Sequence, residues 1–226
     1  MASLDKIYLG TNTKMFKTPS ESVEHISKLA RLTSDIGTDD AALFVIPSYT
    51  SLQDAVAAAA GTPIMIGAQN MGWEERGQFT GEISPLTLKE VGVDMVMVGH
   101  SERRHVLHET DREEELKVSC SVKHGLTTLL CIGETLEQKE YGISRESLDT
   151  QLKIGLHSIT PEQAEKYLRI AYEPVWAIGV NGIPADEWPE RRKACHEGEH
   201  RRSFHRTQRM GCRELQLHHP YRAACF

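Results

Sequence analysis

The chain has 226 residues, of which 39% are hydrophobic and 26% charged, so it is neither disordered nor fibrous and is long enough for one large domain. Its 26 lysines and arginines against 32 aspartates and glutamates give a formal net charge of -6, which argues against a general nucleic-acid binder. No apolar run approaches a membrane span, no signal peptide follows Met1, and the five cysteines show no C-x-x-C spacing. These features predict a cytoplasmic protein that binds small molecules or protein.

Short β-rich apolar runs alternate with longer amphipathic stretches through most of the chain. The predicted strands are, in chain order, Ile7–Asn12, Ala42–Pro47, Ile64–Asn70, Asp94–His100, Thr127–Glu134 and Arg169–Ala177. Helices are predicted between them, for example over Glu21–Leu32, Ser51–Ala60 and from Ser84–Pro85 onward. This alternation is typical of a parallel sheet and fits either a doubly wound sheet or a (β/α)8 barrel without its last two units.

Polar side chains occur at or near the carboxyl ends of five predicted strands, at Asn12, Gln69, His100, Glu134 and Glu173. Both candidate folds place their chemistry at that edge of the sheet, so we expect these residues to line one site. Neither G-x-G-x-x-G nor a P-loop motif follows any of the strands, and the sequence therefore does not favour a nucleotide cofactor.

Two of these residues suit acid–base chemistry. Glu173 lies in an otherwise apolar run, where a carboxylate is seldom retained without a partner or a task. His100 lies where a strand ends and a helix is predicted to begin, and a helix N-terminus disfavours the protonated imidazole, which would make His100 a neutral donor. The alternatives are a strand-end glutamate that faces solvent and a structural histidine.

Phosphate binding is the second kind of chemistry that the sequence suggests. Lys14, two residues after Asn12, is placed to neutralise an anionic substrate group, although an isolated lysine is more often simply solvated. The segment 177–184 contains Gly179 and Gly182 between two prolines. It is either a mobile lid whose backbone N–H groups bind a phosphate or an ordinary connection between strand and helix.

Several motifs resemble those of the triosephosphate isomerase family, in the order that the family has them, over about residues 5–187. They are TNTKM at 11–15, AQN at 68–70, GQFTGEIS at 77–84, VGHSERR at 98–104, LLCIGE at 129–134 and AYEPVWAIG at 171–179. The resemblance implies a (β/α)8 TIM barrel, a homodimer and an isomerase of glycolysis and gluconeogenesis that needs no metal or cofactor. Its substrate would be a small phosphorylated sugar, with dihydroxyacetone phosphate and glyceraldehyde 3-phosphate interconverted through an enediol(ate).

The resemblance also implies roles for individual residues. Glu173 would take the proton from carbon while neutral His100 polarises the carbonyl, which is the division of roles known for this enzyme family. Asn12, Lys14 and the backbone N–H of Gly179 would bind the substrate.

Two further residues would support this site. Glu102 would be a buried, hydrogen-bonded partner near Lys14 and His100. Thr80, at the tip of the loop 71–82, would insert into the neighbouring subunit beside that subunit's Asn12 and Lys14.

The chain departs from the family beside the substrate residues. Thr13 stands where a tryptophan is usual, and Phe16 stands where a polar residue is common. These differences indicate a paralogue and leave open a four-carbon substrate such as an erythrulose phosphate.

The C-terminal segment 188–226 differs in composition from the barrel-like segment 1–187. It holds 9 basic and 4 acidic residues, 5 of the 11 histidines and 3 of the 5 cysteines, but no valine or isoleucine. Barrel units 7 and 8 are therefore not recognisable, because buried parallel strands are rich in branched aliphatic residues. We expect this tail to be disordered or poorly packed. We hypothesise that it is translated in a shifted reading frame, and this hypothesis is tested by translating the other frames of the gene after codon 187. A truncated, inactive barrel is the corresponding functional alternative.

The tail also contains the sequence HEGEH at 196–200, which formally fits the H-E-x-x-H motif of zinc hydrolases. Gly198 in the middle of the required helix and the wrong spacing of His205 argue against this alternative. A zinc chelator distinguishes the two classes, because it would inactivate a hydrolase and leave an isomerase unaffected.

Overall fold

The computed structural model describes residues 7–37, 39, 41–178 and 223–225. Its centre is one parallel sheet in which the strands follow one another in chain order. The strands are β1 Ile7–Asn12, β2 Ala41–Ile46, β3 Ile64–Ala68, β4 Met95–Val98, β5 Thr127–Ile132, β6 Leu168–Tyr172 and β7 Ala223–Cys225. A doubly wound sheet reverses its strand order, whereas a barrel does not, so this order identifies a curled portion of a (β/α)8 barrel.

At least one helix separates each pair of consecutive strands from β1 to β6, as the predicted βα repeat requires. The α-helices are α1 Pro19–Leu32, α2 Leu52–Ala59, α3 Pro85–Val91, α4 Ser101–His105, α5 Asp111–Lys123, α6 Leu136–Glu140, α7 Ser144–Gly155 and α8 Pro161–Tyr167. Two 3-10 turns, Tyr49–Ser51 and Val175–Ala177, complete the regular structure of the described residues.

Local capping explains where the helices begin. Helix α3 begins as predicted, because the Ser84 hydroxyl accepts the N–H of Leu86 and Pro85 occupies the first turn, where its missing N–H is not needed. Helix α1 begins at a capping box in which Thr18 and Glu21 each accept a hydrogen bond from the other's backbone N–H.

The sheet separates two hydrophobic clusters. The larger cluster lies between the sheet and the helices, and the smaller one fills the concave side with side chains such as Phe44, Ile46, Met97 and Leu129. Gly10 permits this curl, because a Cβ atom at that position would lie 2.3 Å from the Phe44 ring. The interior is therefore a packed core, as in a barrel.

The two ends of the sheet differ. Among the described residues β1 pairs only with β2, and Ile7 and Leu9 on β1 are 58% and 52% exposed. Across the interior the Arg169 guanidinium of β6 donates a 2.8 Å hydrogen bond to the Tyr8 hydroxyl of β1. At the other end the three-residue β7 from the tail pairs with β6, with Ala223 opposite Ile170.

The rest of the tail, including HEGEH and the boundary expected at residue 187, lies outside the described residues, so those interpretations stay predictions. No described helix is long and apolar enough to cross a membrane.

Candidate active site

The loop after β1 is held in an unusual backbone conformation at Lys14, whose φ is 49°. Positive φ is rare outside glycine and is frequent at functional sites. The Lys14 N–H donates to Oδ1 of Asn12 at 2.8 Å, and Nε2 of Gln69 donates to the Lys14 carbonyl at 2.7 Å and to Asn12 Oδ1 at 3.2 Å. The sequence placed Gln69 at the sheet edge without a role, and the structure shows that it fixes both candidate substrate-binding residues.

Glu102 lies between Lys14 and His100 and contacts both side chains. Its Oε1 lies 2.8 Å from Nζ of Lys14, and its Oε2 lies 3.5 Å from Nδ1 of His100. The expected burial of Glu102 is wrong, because its side chain is 50% exposed. The residue lies in the first turn of α4, at the solvent-facing edge of the site, and no described element covers it.

His100 is the N-cap of α4 and is largely buried. Its Nδ1 accepts the backbone N–H of Glu102 at 3.2 Å, so Nδ1 carries no proton and the neutral ring has its proton on Nε2. That nitrogen faces Glu173, with 3.7 Å between Nε2 and Oε1. The structure thus brings together the two residues predicted to carry acid–base chemistry, with the histidine donor directed at the carboxylate.

Glu173 lies immediately after β6 rather than inside the strand, and its side chain is only 11% exposed. Its backbone N–H donates to the Ile132 carbonyl at 2.7 Å, and its Oε2 accepts the N–H of Ser101 at 3.4 Å. The Cys131 thiol also lies against the carboxylate. The pKa of this thiol is raised well above its usual value, mainly by burial and to a smaller extent by the charge of Glu173. The surroundings of Glu173 are therefore apolar on one side and supply a hydrogen-bond donor on the other.

The chain that follows Glu173 is anchored to Glu134, which is 2% exposed. The Glu134 carboxylate accepts the Tyr172 hydroxyl at 3.0 Å and Nε1 of Trp176 at 2.9 Å. The Lys139 ammonium lies 3.9 Å from the centre of the Trp176 ring. The sequence placed Glu134 at the sheet edge but did not predict this anchoring, because its partners come from a different strand.

The remaining predicted site residues are placed as follows. Gly179, and with it the predicted lid, lies outside the described residues. Thr80 is exposed in the loop between β3 and α3. Within the described ranges no group of three or more histidine, cysteine or acidic side chains is arranged to hold a metal ion.

Comparisons with known proteins agree with this geometry. The family model "Triosephosphate isomerase" matches residues 7–208, beyond the boundary expected at 187. The chain is 44% identical over 180 residues to L-erythrulose-1-phosphate isomerase of Rhizobium etli, which covers 79% of this chain and 67% of that protein. It is 45% identical over 177 residues to triosephosphate isomerase of Caldanaerobacter subterraneus, which covers 77% of this chain and 70% of that protein.

A crystal structure of triosephosphate isomerase from Bartonella henselae has the same fold, with a TM-score of 0.67 and 34% identity over 76% of this chain and 68% of that chain. The consecutive order of parallel strands and the match over most of the chain agree with one another. The chain belongs to the triosephosphate isomerase family, whose members are isomerases built on the TIM barrel.

Proposed function

We propose that this chain interconverts dihydroxyacetone phosphate and glyceraldehyde 3-phosphate by proton transfer through an enediol(ate). The observation that carries the proposal is the pair formed by His100 and Glu173, both largely buried, with 3.7 Å between Nε2 and Oε1. A proton donor and a carboxylate at that separation can act on adjacent atoms of one small substrate.

In this reaction the Glu173 carboxylate removes a proton from the carbon next to the carbonyl, and Nε2–H of His100 donates a hydrogen bond to the carbonyl oxygen. The developing negative charge is stabilised on oxygen. His100 then transfers the proton of the adjacent hydroxyl group to that oxygen, and the Glu173 carboxyl returns its proton to the former carbonyl carbon, so the adjacent carbon becomes the new carbonyl. The substrate loses and regains a proton without net oxidation, so the step balances without a cofactor.

Asn12 and Lys14 bind the substrate in this proposal, with the ammonium of Lys14 opposite its negative charge. Both are fixed by Gln69 at the mouth of the site. Gly179 would add a backbone donor to the phosphate, as the resemblance to the family implies.

L-Erythrulose 1-phosphate is the second candidate substrate. Relatives named for that activity and for triosephosphate isomerase are equally similar to this chain, at 44% and 45% identity. Thr13, which replaces the usual tryptophan next to Asn12 and Lys14, is buried against the carbonyl of Ile46. This departure from the family leaves the four-carbon substrate open as the second candidate.

A coupled isomerase assay with three- and four-carbon ketose phosphates tests the proposal, with Glu173→Gln prepared in parallel. We expect turnover that the glutamine variant lacks, and the ratio of kcat/KM values selects the substrate. Equal turnover by the two proteins contradicts the role of Glu173, and folded protein without turnover supports an inactive barrel. Hydrolase activity that a chelator abolishes would instead support the zinc hydrolase.

We also propose that the protein is a cytoplasmic homodimer. Thr80 lies in an exposed loop, and four large apolar side chains are strongly exposed in the loop after β1 and after α4: Met15, Phe16, Val106 and Leu107. Large apolar side chains that are exposed to this extent are more typical of a protein interface than of a solvated surface. Sedimentation velocity should show a dimer that Thr80→Arg dissociates and Thr150→Arg, on exposed α7, leaves intact. A wild-type monomer at micromolar concentration contradicts this proposal, and cell fractionation tests the location.

A further inference from the structure

The Arg104 guanidinium lies between the carboxyl ends of β4 and β5, and its side chain is 8% exposed. Its Nε donates to the Gly99 carbonyl at 2.8 Å, and its Nη2 donates to the Cys131 carbonyl at 3.1 Å. One side chain of α4 therefore holds the ends of two neighbouring strands.

Two acidic residues in the first turn of α5 hold this guanidinium from the other side. Arg104 contacts the carboxylate of Asp111 through Nη1 and the carboxyl group of Glu114 through Nη2. The Glu114 side chain is 1% exposed, and neither of its carboxyl oxygens has a hydrogen-bond partner besides this contact. Buried carboxylates are rare without a task, because their desolvation is costly. Glu114 is thus dedicated to Arg104.

The two carbonyls that Arg104 binds are adjacent to the acid–base pair. The Gly99 carbonyl belongs to the peptide bond that leads into His100. The Cys131 carbonyl precedes Ile132, whose own carbonyl accepts the N–H of Glu173 at 2.7 Å. A shift of either strand end therefore moves His100 relative to Glu173.

The packing around Gly99 shows how tightly these groups are fitted. Gly99 has a φ of 75°, and a Cβ atom there would lie 2.9 Å from both Nη2 of Arg104 and the Cys131 carbonyl, and 3.0 Å from Oε2 of Glu114. The strand end approaches the guanidinium more closely than any other residue type would allow.

We propose that Arg104 is a positioning residue that sets the distance between Nε2 of His100 and Oε1 of Glu173, and that Glu114 holds its guanidinium in place. The inference rests on the proposed isomerase function. Arginine is required because its planar fork donates in several fixed directions at once, whereas a lysine ammonium cannot bind both carbonyls and both carboxylates in this geometry.

Arg104→Lys tests the proposal, with Arg112→Lys on exposed α5 surface as the matched control. We expect kcat to fall about 10- to 100-fold in Arg104→Lys, because a displacement of about 1 Å costs that much, while KM stays near the wild-type value. No hydrogen bond or ion pair of the described residues joins Arg104 to Asn12 or Lys14. Arg112→Lys should keep both constants. Unchanged kcat in a folded Arg104→Lys protein overturns the proposal.

A second variant and a second measurement keep the test decisive. Glu114→Leu retains Arg104 but removes the carboxyl group that contacts its Nη2, whatever the protonation state of that group, and it should lower kcat in the same direction if Arg104→Lys does not fold. Nitrogen-15 spectra of labelled histidine should show one set of His100 ring signals in the wild type and an altered shift in either variant. The assay and the spectrum together distinguish the two proposals. An inactive wild type in the assay contradicts the isomerase function. A His100 signal that neither variant changes contradicts the positioning role.

Discussion

The Glu114 carboxyl is a buried group whose protonation differs from that of an exposed side chain. Burial raises the pKa of Glu114 from 4.5 to about 8, although the Arg104 charge acts in the opposite direction. In the unfolded chain this carboxyl loses its proton at its ordinary pKa. The folded protein therefore retains a proton that the unfolded chain has released between those two pH values.

This difference predicts a pH-dependent stability. Between about pH 4.5 and 8 the folded state binds more protons than the unfolded state. The contribution of Glu114 to the free energy of unfolding therefore falls as pH rises through that window and is constant above it. Urea unfolding midpoints measured across this range should decline for the wild type and decline less for Glu114→Gln. Glu146→Gln, an exposed residue of α7, is the control. Identical slopes in wild type and Glu114→Gln contradict the assignment.

Gly133 is required by the close approach of the chain that carries Glu173. A Cβ atom at Gly133 would lie 1.9 Å from the Glu173 carbonyl oxygen, which belongs to the backbone and cannot rotate away. Gly133→Ala should cost about 1–3 kcal/mol of unfolding free energy by overpacking and lower kcat by about 100-fold by moving Glu173. Thermal unfolding and steady-state kinetics measure both effects.

Gly142→Ala is the matched control for that substitution. Gly142 has a φ of 72° but no atom within 4 Å of its added Cβ, so the change should cost about 1–2 kcal/mol of backbone strain and leave kcat unchanged. Equal loss of kcat in the two variants would show that Gly133 acts through stability alone.

At the scale of elements, the predicted strands were placed correctly, but all except the first extended too far at their carboxyl ends. The predicted strands Ile64–Asn70 and Asp94–His100 are Ile64–Ala68 and Met95–Val98 in the structure. The residue pattern does not show where the last ladder hydrogen bond lies, so it does not mark the end of a strand. His100 is consequently a helix cap rather than a strand residue, and Glu173 lies in the turn after β6.

The turn after β6 depends on hydrogen bonds to Glu134, and this dependence can be measured. Tyr172→Phe and Trp176→Phe each remove one donor to the Glu134 carboxylate and keep an aromatic ring. Because Glu173 lies between these residues, we expect each variant to lower kcat/KM by about 10-fold, which is the lower end of what the loss of a hydrogen bond to a charged group costs. Tyr141→Phe, at a side chain that is 72% exposed, should have no effect.

The double variant refines this prediction. Tyr172→Phe and Trp176→Phe share one acceptor, so their combined effect on kcat/KM should differ from the product of the single effects. Strict additivity would indicate that the two side chains act independently of Glu134.

At the scale of the whole molecule, the family and the barrel could be predicted because the sequence motifs are continuous segments that each occupy one strand end. The hydrogen bonds by which Gln69, Glu134 and Arg104 hold the site could not be predicted, because each of these residues joins segments that are far apart in the chain. The exposure of Glu102 was missed for the same reason, since burial depends on which distant elements cover a residue.

The edge of β1 with which no other described strand pairs predicts self-association beyond any dimer. Ile7 and Leu9 expose apolar surface on β1, and the backbone groups of this edge can pair with another chain. Leu9→Lys should reduce light scattering at 37 °C compared with the wild type, because charge on an edge strand opposes pairing. Tyr141→Lys adds the same charge away from the edge. An equal reduction of light scattering by both variants would show that net charge, and not the edge of β1, causes the effect.

Proton transfer by Glu173 and His100 through an enediol(ate) is tested most directly by carrying out the reaction in D2O. A proton held on the Glu173 carboxyl exchanges with solvent, so the glyceraldehyde 3-phosphate formed should carry deuterium at carbon 2, as observed by proton NMR. Glu173→Gln should form neither product nor deuterated substrate. Product that contains no deuterium at this carbon would indicate direct hydrogen transfer between the carbons and would contradict this mechanism.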